Sequence, residues 1–212
     1  MVADETTTTS TTAPPAALTV VDVLCRESWA SAPAGAGIPH TIRQITVHHS
    51  ATRLDDNRDV VDHIRGYQRD HQESRGWVDL AYHYVIDGRG NVYEARSTDV
   101  VGDTSTNYDP TGHFLAMCDG NFEEQDVPEP QFDSLARLLA WAVQQHGLTV
   151  ESISGHRDHA STACPGQKLY ERVQSRELAQ RVQAHLAVGP VERRLVCGAE
   201  AGHRIDAIQA GA

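Results

Sequence analysis

Apolar positions recur with helical spacing in three stretches of the chain. After Asp56-Asn57, either of which can cap a helix, Val60, Ile64 and Tyr67 share one face, with His71 next in register. The clearest stretch is PEPQFDSLARLLAWAVQQHG. There Phe132, Leu135, Leu138, Leu139, Ala142 and Val143 make one stripe, and Gly147 supplies a C-terminal stop. A third helical pattern starts near Pro165-Gly166-Gln167 and runs through Leu169, Val173, Leu178 and Val182, with a break expected around Ser175.

Between these lie shorter segments with strand character. TIRQITVHHS (41–50) alternates and ends in two histidines. AYHYVID and NVYEAR flank Gly88-Arg89-Gly90, a hairpin signature with glycines where the backbone needs positive φ. HFLAMC (113–118) and VESISGH (150–156) read as short interior strands. Helices interleaved with strands predict an α/β fold, a single domain with a mixed central β-sheet and helices packed on both faces. The hairpin is what makes the sheet mixed rather than purely parallel.

Composition adjusts this picture at the ends. Residues 4–17 (DETTTTSTTAPPAA) have nothing to bury, so residues 1–17 are expected to be a disordered Thr/Pro-rich tether. That tract fits both a floppy terminus and a linker left after removal of an export or lipoprotein signal. The main domain is expected over 18–188, followed by a C-terminal extension over 189–212, tied back to Cys25 if Cys197 pairs with it. Free thiols fit those two positions as well.

The 212 residues carry 18 Lys+Arg against 29 Asp+Glu, a formal charge of −11, which excludes a general nucleic-acid binder. No apolar run reaches the roughly 18 residues of a membrane helix, and the N-terminal residues lack a signal peptide's basic and apolar regions. Nothing suggests an oligomer, so a monomer is the default expectation.

Twelve His and four Cys raise the question of a metal site. The chain has no GxSxG elbow, no phosphate loop, no HExxH helix and no CxxC pair. What remains is His48 at one strand end, His156 at another, and Cys164 eight residues later, just before Pro165-Gly166 and a helix. Two neutral imidazoles and a thiolate would supply three ligands to a tetrahedral Zn²⁺, leaving the fourth position to water. From spacing alone, a polar loop with a buried free thiol fits the same residues.

Longer strings add to this. ITVHHSAT (45–52), WVDLAYHYVIDGRGNVYEAR (77–96) and SGHRDHASTACPGQKLY (154–170) resemble three motifs of the peptidoglycan recognition protein and type 2 N-acetylmuramoyl-L-alanine amidase family, including phage lysozyme-type zinc amidases. CDGNFEEQ (118–125) resembles the family's strand–GNF–helix passage, and the likeness runs from about Cys25 to Leu186.

The resemblance implies a zinc cleft with His48, His156 and Cys164 as metal ligands. It implies catalytic roles for Tyr82, in AYHY, and for Thr162, where some members carry lysine and many recognition-protein-type members carry threonine. The implied reaction is hydrolysis of the amide between the lactyl group of N-acetylmuramic acid and L-alanine of the stem peptide. Peptidoglycan or muropeptides are the implied partners. Substrate contacts are expected from Trp77, His49 and Thr104. Trp77 also fits a residue covering the sheet edge, and alternation turns His49 to the opposite face from His48. Gly102-Asp103-Thr104 stands where many members have Gly-x-His, so one substrate-contacting imidazole is missing. His159 is expected to stay outside the ligand set, Arg157-Asp158 to make loop hydrogen bonds, and Cys118 to be a small buried hydrophobe.

A secreted, periplasmic or lipid-tethered setting is expected, with a cytoplasmic phage-type enzyme as the other option. Two competing functions share the fold: a non-catalytic peptidoglycan-binding module, and a zinc amidohydrolase of small acylated amines. An acidic protein on an anionic wall is expected to recognise its substrate through the cleft rather than by bulk attraction.

Overall fold

The computed structural model describes residues 18–30 and 32–211; the expected 1–17 tether lies outside the described residues. Seven strands form one sheet: β1 (Thr19–Leu24), β2 (Gln44–His49), β3 (Tyr84–Ile86), β4 (Val92–Glu94), β5 (His113–Cys118), β6 (Ile153–Gly155) and β7 (Val191–Val196). Their spatial order is β6-β2-β5-β3-β4-β1-β7. Only the β3–β4 hairpin is antiparallel among these pairings, so the sheet is mixed for the reason the glycine turn suggested.

The helices are α1 (Val60–Arg69), α2 (Glu129–His146), α3 (Gln167–Gln174), α4 (Glu177–Val188) and α5 (Gly198–Gln209). Alternation along the strands divides the core into two layers. Ile45, Val47, Phe114 and Ala116 pack with α2, α3 and α4 on one face. Val85, Met117 and Tyr93 pack with α1 and α5 on the other. The α2 stripe is fully buried at Phe132, Leu135, Leu138 and Leu139. Each such side chain contributes roughly 1.5–3 kcal/mol of transfer free energy.

Local signals explain the boundaries. Asp56 accepts a hydrogen bond from the Arg58 amide and starts a 3₁₀ turn (Asn57–Asp59) that leads into α1. Gly147 takes the left-handed conformation (φ 63°) and its N–H bonds the Val143 carbonyl, ending α2. The third helical pattern breaks at Ser175-Arg176, with Arg176 at φ 67°.

The segment 189–211 contributes elements to the sheet and the second layer. β7 pairs in parallel with β1 along its whole length, from Thr19↔Val191 to Leu24↔Val196. Cys25 and Cys197 form a disulfide with a Cα–Cα distance of 5.0 Å. No helix among the described residues is long and apolar enough to cross a membrane.

Candidate metal centre

The carboxyl ends of β2 and β6 lie side by side, because Val47 pairs with Gly155. His48 therefore leaves β2 next to His156, the first residue past β6, in a 3₁₀ turn (His156–Asp158). The two rings are 4.6 Å apart between centroids. Cys164 is brought to them by the turn preceding α3. Gly166 there has φ 86°, and a Cβ on it would lie 2.6 Å from the Phe122 carbonyl carbon, so the backbone packs where only glycine fits. One ligand atom from each of His48, His156 and Cys164 lies within 4.8 Å of the others.

The donor set suits a metal ion. The Cys164 Sγ is 3.5 Å from His48 Nδ1, and it accepts a bond from the His49 amide at 3.4 Å. His48 Nε2 is buried with no hydrogen-bond partner among the described residues. His156 Nε2 lies 2.9 Å from Thr106 Oγ1, which leaves Nδ1 as the nitrogen available for coordination. Burial, reinforced by neighbouring His156, holds His48 well below the usual histidine range. Burial likewise lowers His156 to about 4, so both imidazoles are neutral at pH 7 and carry free lone pairs. Cys164 is pushed up to about 12 by burial, which outweighs the lowering by the His49 amide bond and the nearby Arg157 guanidinium. Metal binding at this thiol would therefore release a proton.

A cleft of about 480 Å³ opens over these three residues. Tyr82 stands on its wall, its ring 5.0 Å from that of His48, and burial raises its phenol far above the ordinary range, so it keeps its proton. Thr162 borders the same cleft and its Oγ1 accepts the Cys164 amide at 3.2 Å. Trp77 lines the cleft with its ring 4.7 Å from His71 and 5.1 Å from the Arg75 guanidinium carbon. Thr104 lines it too, its Oγ1 2.8 Å from Thr106 Oγ1. His49 lines the cleft as well. Its ring is buried and its Nδ1 accepts the Phe122 amide at 3.2 Å, so it offers the site its backbone N–H.

The N-acetylmuramoyl-L-alanine amidase family pattern matches residues 38–167. Peptidoglycan-recognition protein SD of Drosophila simulans is 30% identical over 160 residues, 73% of this chain and 85% of that protein. Peptidoglycan recognition protein 1 of Mus musculus is 29% identical over 160 residues, 73% and 87% of the two chains. The crystal structure of Drosophila peptidoglycan recognition protein SD superimposes with a TM-score of 0.63 at 28% identity, covering 74% of this chain and 94% of that one. Peptidoglycan recognition protein LE, solved with tracheal cytotoxin (a monomeric diaminopimelic acid-type peptidoglycan), gives 0.63 at 29%, covering 72% and 92%. The chain belongs to the peptidoglycan recognition protein / type 2 amidase family.

Two residues beside His156 in this family member carry no signal in the sequence. Thr106 and Tyr108 lie in the loop before β5, with no periodic signal; the Tyr108 ring sits 5.1 Å from that of His156. Tyr67 and His71 also line the cleft and were readable from their helical spacing, His71 standing one turn past Tyr67 and just beyond α1. His71 Nδ1 accepts the Ala81 amide at 3.0 Å and so ties the π-helical turn (Asp70–Ser74) to the Tyr82 segment. Asp103, in place of the missing imidazole's neighbourhood, pairs with buried Arg96 at 2.6 Å. His159 bonds Ser154 Oγ at 2.8 Å and stands apart from the ligand set. Arg157 and Asp158 make the loop contacts expected of them, Asp158 accepting the Gly155 amide at 2.7 Å. Cys118 is fully buried.

Proposed function

We propose that this chain is a zinc-dependent N-acetylmuramoyl-L-alanine amidase that hydrolyses the lactyl–L-alanine amide of peptidoglycan. The observation that carries the reading is the convergence of two neutral imidazoles and a thiol at the floor of a cleft, beside a tyrosine that retains its proton. His48, His156 and Cys164 would hold the ion, which when bound supplies a Lewis acid and a water of lowered pKa.

The chain's own residues supply the rest. Tyr82 donates its hydroxyl proton towards the charge that develops on the scissile carbonyl oxygen, and it is the first candidate to protonate the leaving amine. Thr162 adds a neutral hydroxyl on the same side and steadies the Cys164 backbone. Trp77 offers an apolar face to the stem peptide, and Thr104 a hydroxyl. The Cys25–Cys197 disulfide fits an oxidising, wall-facing setting outside the cytoplasmic membrane.

Thr162, a neutral group where an ammonium would stabilise an oxyanion more strongly, favours a second reading, a peptidoglycan-binding module without turnover. Incubation of the zinc-loaded protein with muropeptides separates them. Release of stem peptides with a free L-alanine amine supports the amidase; tight binding with intact muropeptides supports the module. Cleavage restricted to small acyl-amino acids would replace both with a general amidohydrolase.

A further inference from the structure

Asp119 directly follows β5, and its side chain is fully buried. Both of its carboxylate oxygens meet side chains of α1. The Tyr67 hydroxyl donates to Oδ1 at 2.8 Å, and His63 Nδ1 lies 3.3 Å from Oδ2. His63 and Tyr67 are one helical turn apart, so a single face of α1 presents both. The Asp119 backbone is fixed from two other elements. Its N–H donates to the Ile86 carbonyl of β3 at 2.8 Å. Gln131 of α2 donates to the Asp119 carbonyl at 2.9 Å and to that of Ile86 at 2.8 Å. A carboxylate out of water is tolerated when it is paired and hydrogen-bonded, and here α1 supplies both partners. The Asp119 hydrogen bond holds His63 above the ordinary histidine range. The three groups run from solvent to the cleft. The His63 side chain is 25% exposed, Asp119 is enclosed, and half-buried Tyr67 lines the cleft over the metal centre.

We propose that Tyr67 binds the sugar half of the substrate and that Asp119 is a positioning residue acting through it. The division into halves rests on the proposed amidase reading, with the scissile amide at the metal centre, the stem peptide on one side of it and the muramoyl sugar on the other. Trp77 belongs to one wall. Ring contacts run from His48 to Tyr82 at 5.0 Å, from Tyr82 to His71 at 6.2 Å and from His71 to Trp77 at 4.7 Å. Among the described residues the Tyr67 ring meets that of His63, at 6.1 Å, and stands outside this series. Its phenol lies against the hydroxyls of Ser50 and Thr52, which also line the cleft. Ser50 Oγ accepts the Gly120 amide at 3.0 Å, which ties this second wall to the end of β5. Since β2 lies between β5 and β6, the wall stands across β2 from His156. With Trp77 on the stem peptide, Tyr67, Ser50 and Thr52 are left for the sugar. A pyranose carries C–H bonds on its face and hydroxyls around its rim, which matches an aromatic face flanked by hydroxyls.

Asp119 decides how Tyr67 meets the cleft. An unanchored tyrosine beside water swings its hydroxyl outward and samples several rotamers. Here the hydroxyl is drawn inward to a carboxylate that β3 and α2 hold still, so the flank of the ring is turned to the cleft before any ligand arrives. A wall set in advance lowers the ordering cost of binding. His63 completes the arrangement by taking the other carboxylate oxygen.

The test titrates the full-length, zinc-loaded chain with N-acetylmuramic acid and, separately, with the free stem tripeptide, followed residue by residue by amide NMR. Neither probe contains the scissile amide, so the measurement needs no turnover. Saturable shifts from the sugar are expected at residues 50–52 and 67. Tyr67→Ala, checked for an unchanged spectrum elsewhere, is expected to weaken sugar binding by about tenfold or more and to leave tripeptide binding within about twofold. Tyr67→Phe keeps the ring without its anchor and should weaken the sugar about threefold, whereas Asp119→Asn keeps an acceptor for the hydroxyl and should bind as wild type does. No saturable sugar shifts at those residues, or equal weakening of both probes by Tyr67→Ala, overturns the sugar site. Wild-type sugar affinity in Tyr67→Phe, or loss in Asp119→Asn as large as in Tyr67→Phe, overturns the positioning role. A protein that meets these expectations without cutting muropeptides would remove the amidase reading and keep the sugar site; one that cuts them and fails here would do the reverse.

Discussion

The Thr106 hydroxyl lies 2.9 Å from His156 Nε2 and 2.8 Å from the Thr104 hydroxyl, whose oxygen also accepts the Thr106 amide. With Nδ1 given to a metal ion, the contacts run in one direction: Nε2–H donates to Thr106, and Thr106 O–H to Thr104. In that arrangement the two threonines hold the His156 tautomer whose lone pair is on Nδ1. Partners of this kind orient a ligand and raise its basicity, and removing one typically costs about 10–100-fold in metal affinity. Thr106→Val is therefore expected to weaken zinc binding by that factor in a chelator competition. Wild-type affinity in the variant would show that His156 is oriented by other contacts.

Tyr82 is expected to act on the reaction and not on the metal. Tyr82→Phe keeps the ring against His48 while deleting the donor. Loss of one donor to a developing oxyanion costs about 10²–10³-fold in kcat. The variant should hold one equivalent of zinc with unchanged affinity and turn over muropeptides slower by that factor. Equal loss of zinc would make Tyr82 a packing residue.

Much of this centre was legible before the structure. His48 and His156 stand at strand ends, where α/β sheets expose reactive groups, and Cys164 precedes a Pro-Gly that starts a helix. The α2 stripe was equally plain because every third or fourth residue is apolar. Less legible were β1, β7 and α5. β7 (VERRLV) buries only Val191 and Val196, so its sequence has no period to read. Its position was decided by pairing with β1 and by the Cys25–Cys197 bond, long-range constraints that local pattern does not carry. Thr106 entered the site in the same way, from a loop whose course tertiary contacts determine.

The disulfide links residues 172 apart in sequence and ties β7 and α5 to the start of the first 3₁₀ turn (Arg26–Ser28). Cross-links of this kind contribute about 2–5 kcal/mol. Cys197→Ser is expected to lower the urea midpoint correspondingly, with earlier proteolysis within residues 189–211. An unchanged midpoint would mean that the strand pairing alone holds the C-terminal segment.

Acid stability has a defined direction at His83. Both its nitrogens are engaged: Nδ1 accepts the Leu115 amide at 2.9 Å and Nε2 donates to the Val100 carbonyl at 3.0 Å. Burial lowers its pKa to about 3. The unfolded chain protonates near pH 6.5, so between about pH 6.5 and 3 it binds one more proton here than the folded chain. Stability falls with pH across that window by up to about 1.4 kcal/mol per unit from this residue. Urea unfolding in chelator at pH 7, 6 and 5 should show a steeper decline for wild type than for His83→Gln. Parallel declines would remove His83 from the acid response.

The most direct measurement is digestion of purified wall fragments by wild type and Cys164→Ser, each with and without a zinc chelator, read as stem peptides carrying a free L-alanine amine. Cys164 is the proposed ligand whose Sγ lies 3.5 Å from His48 Nδ1, and its loss should leave the fold intact while removing one of the three proposed ligands. Wild type is predicted to release stem peptides only when chelator is absent, and Cys164→Ser under neither condition. Equal cutting by both proteins in chelator would contradict the zinc amidase account outright.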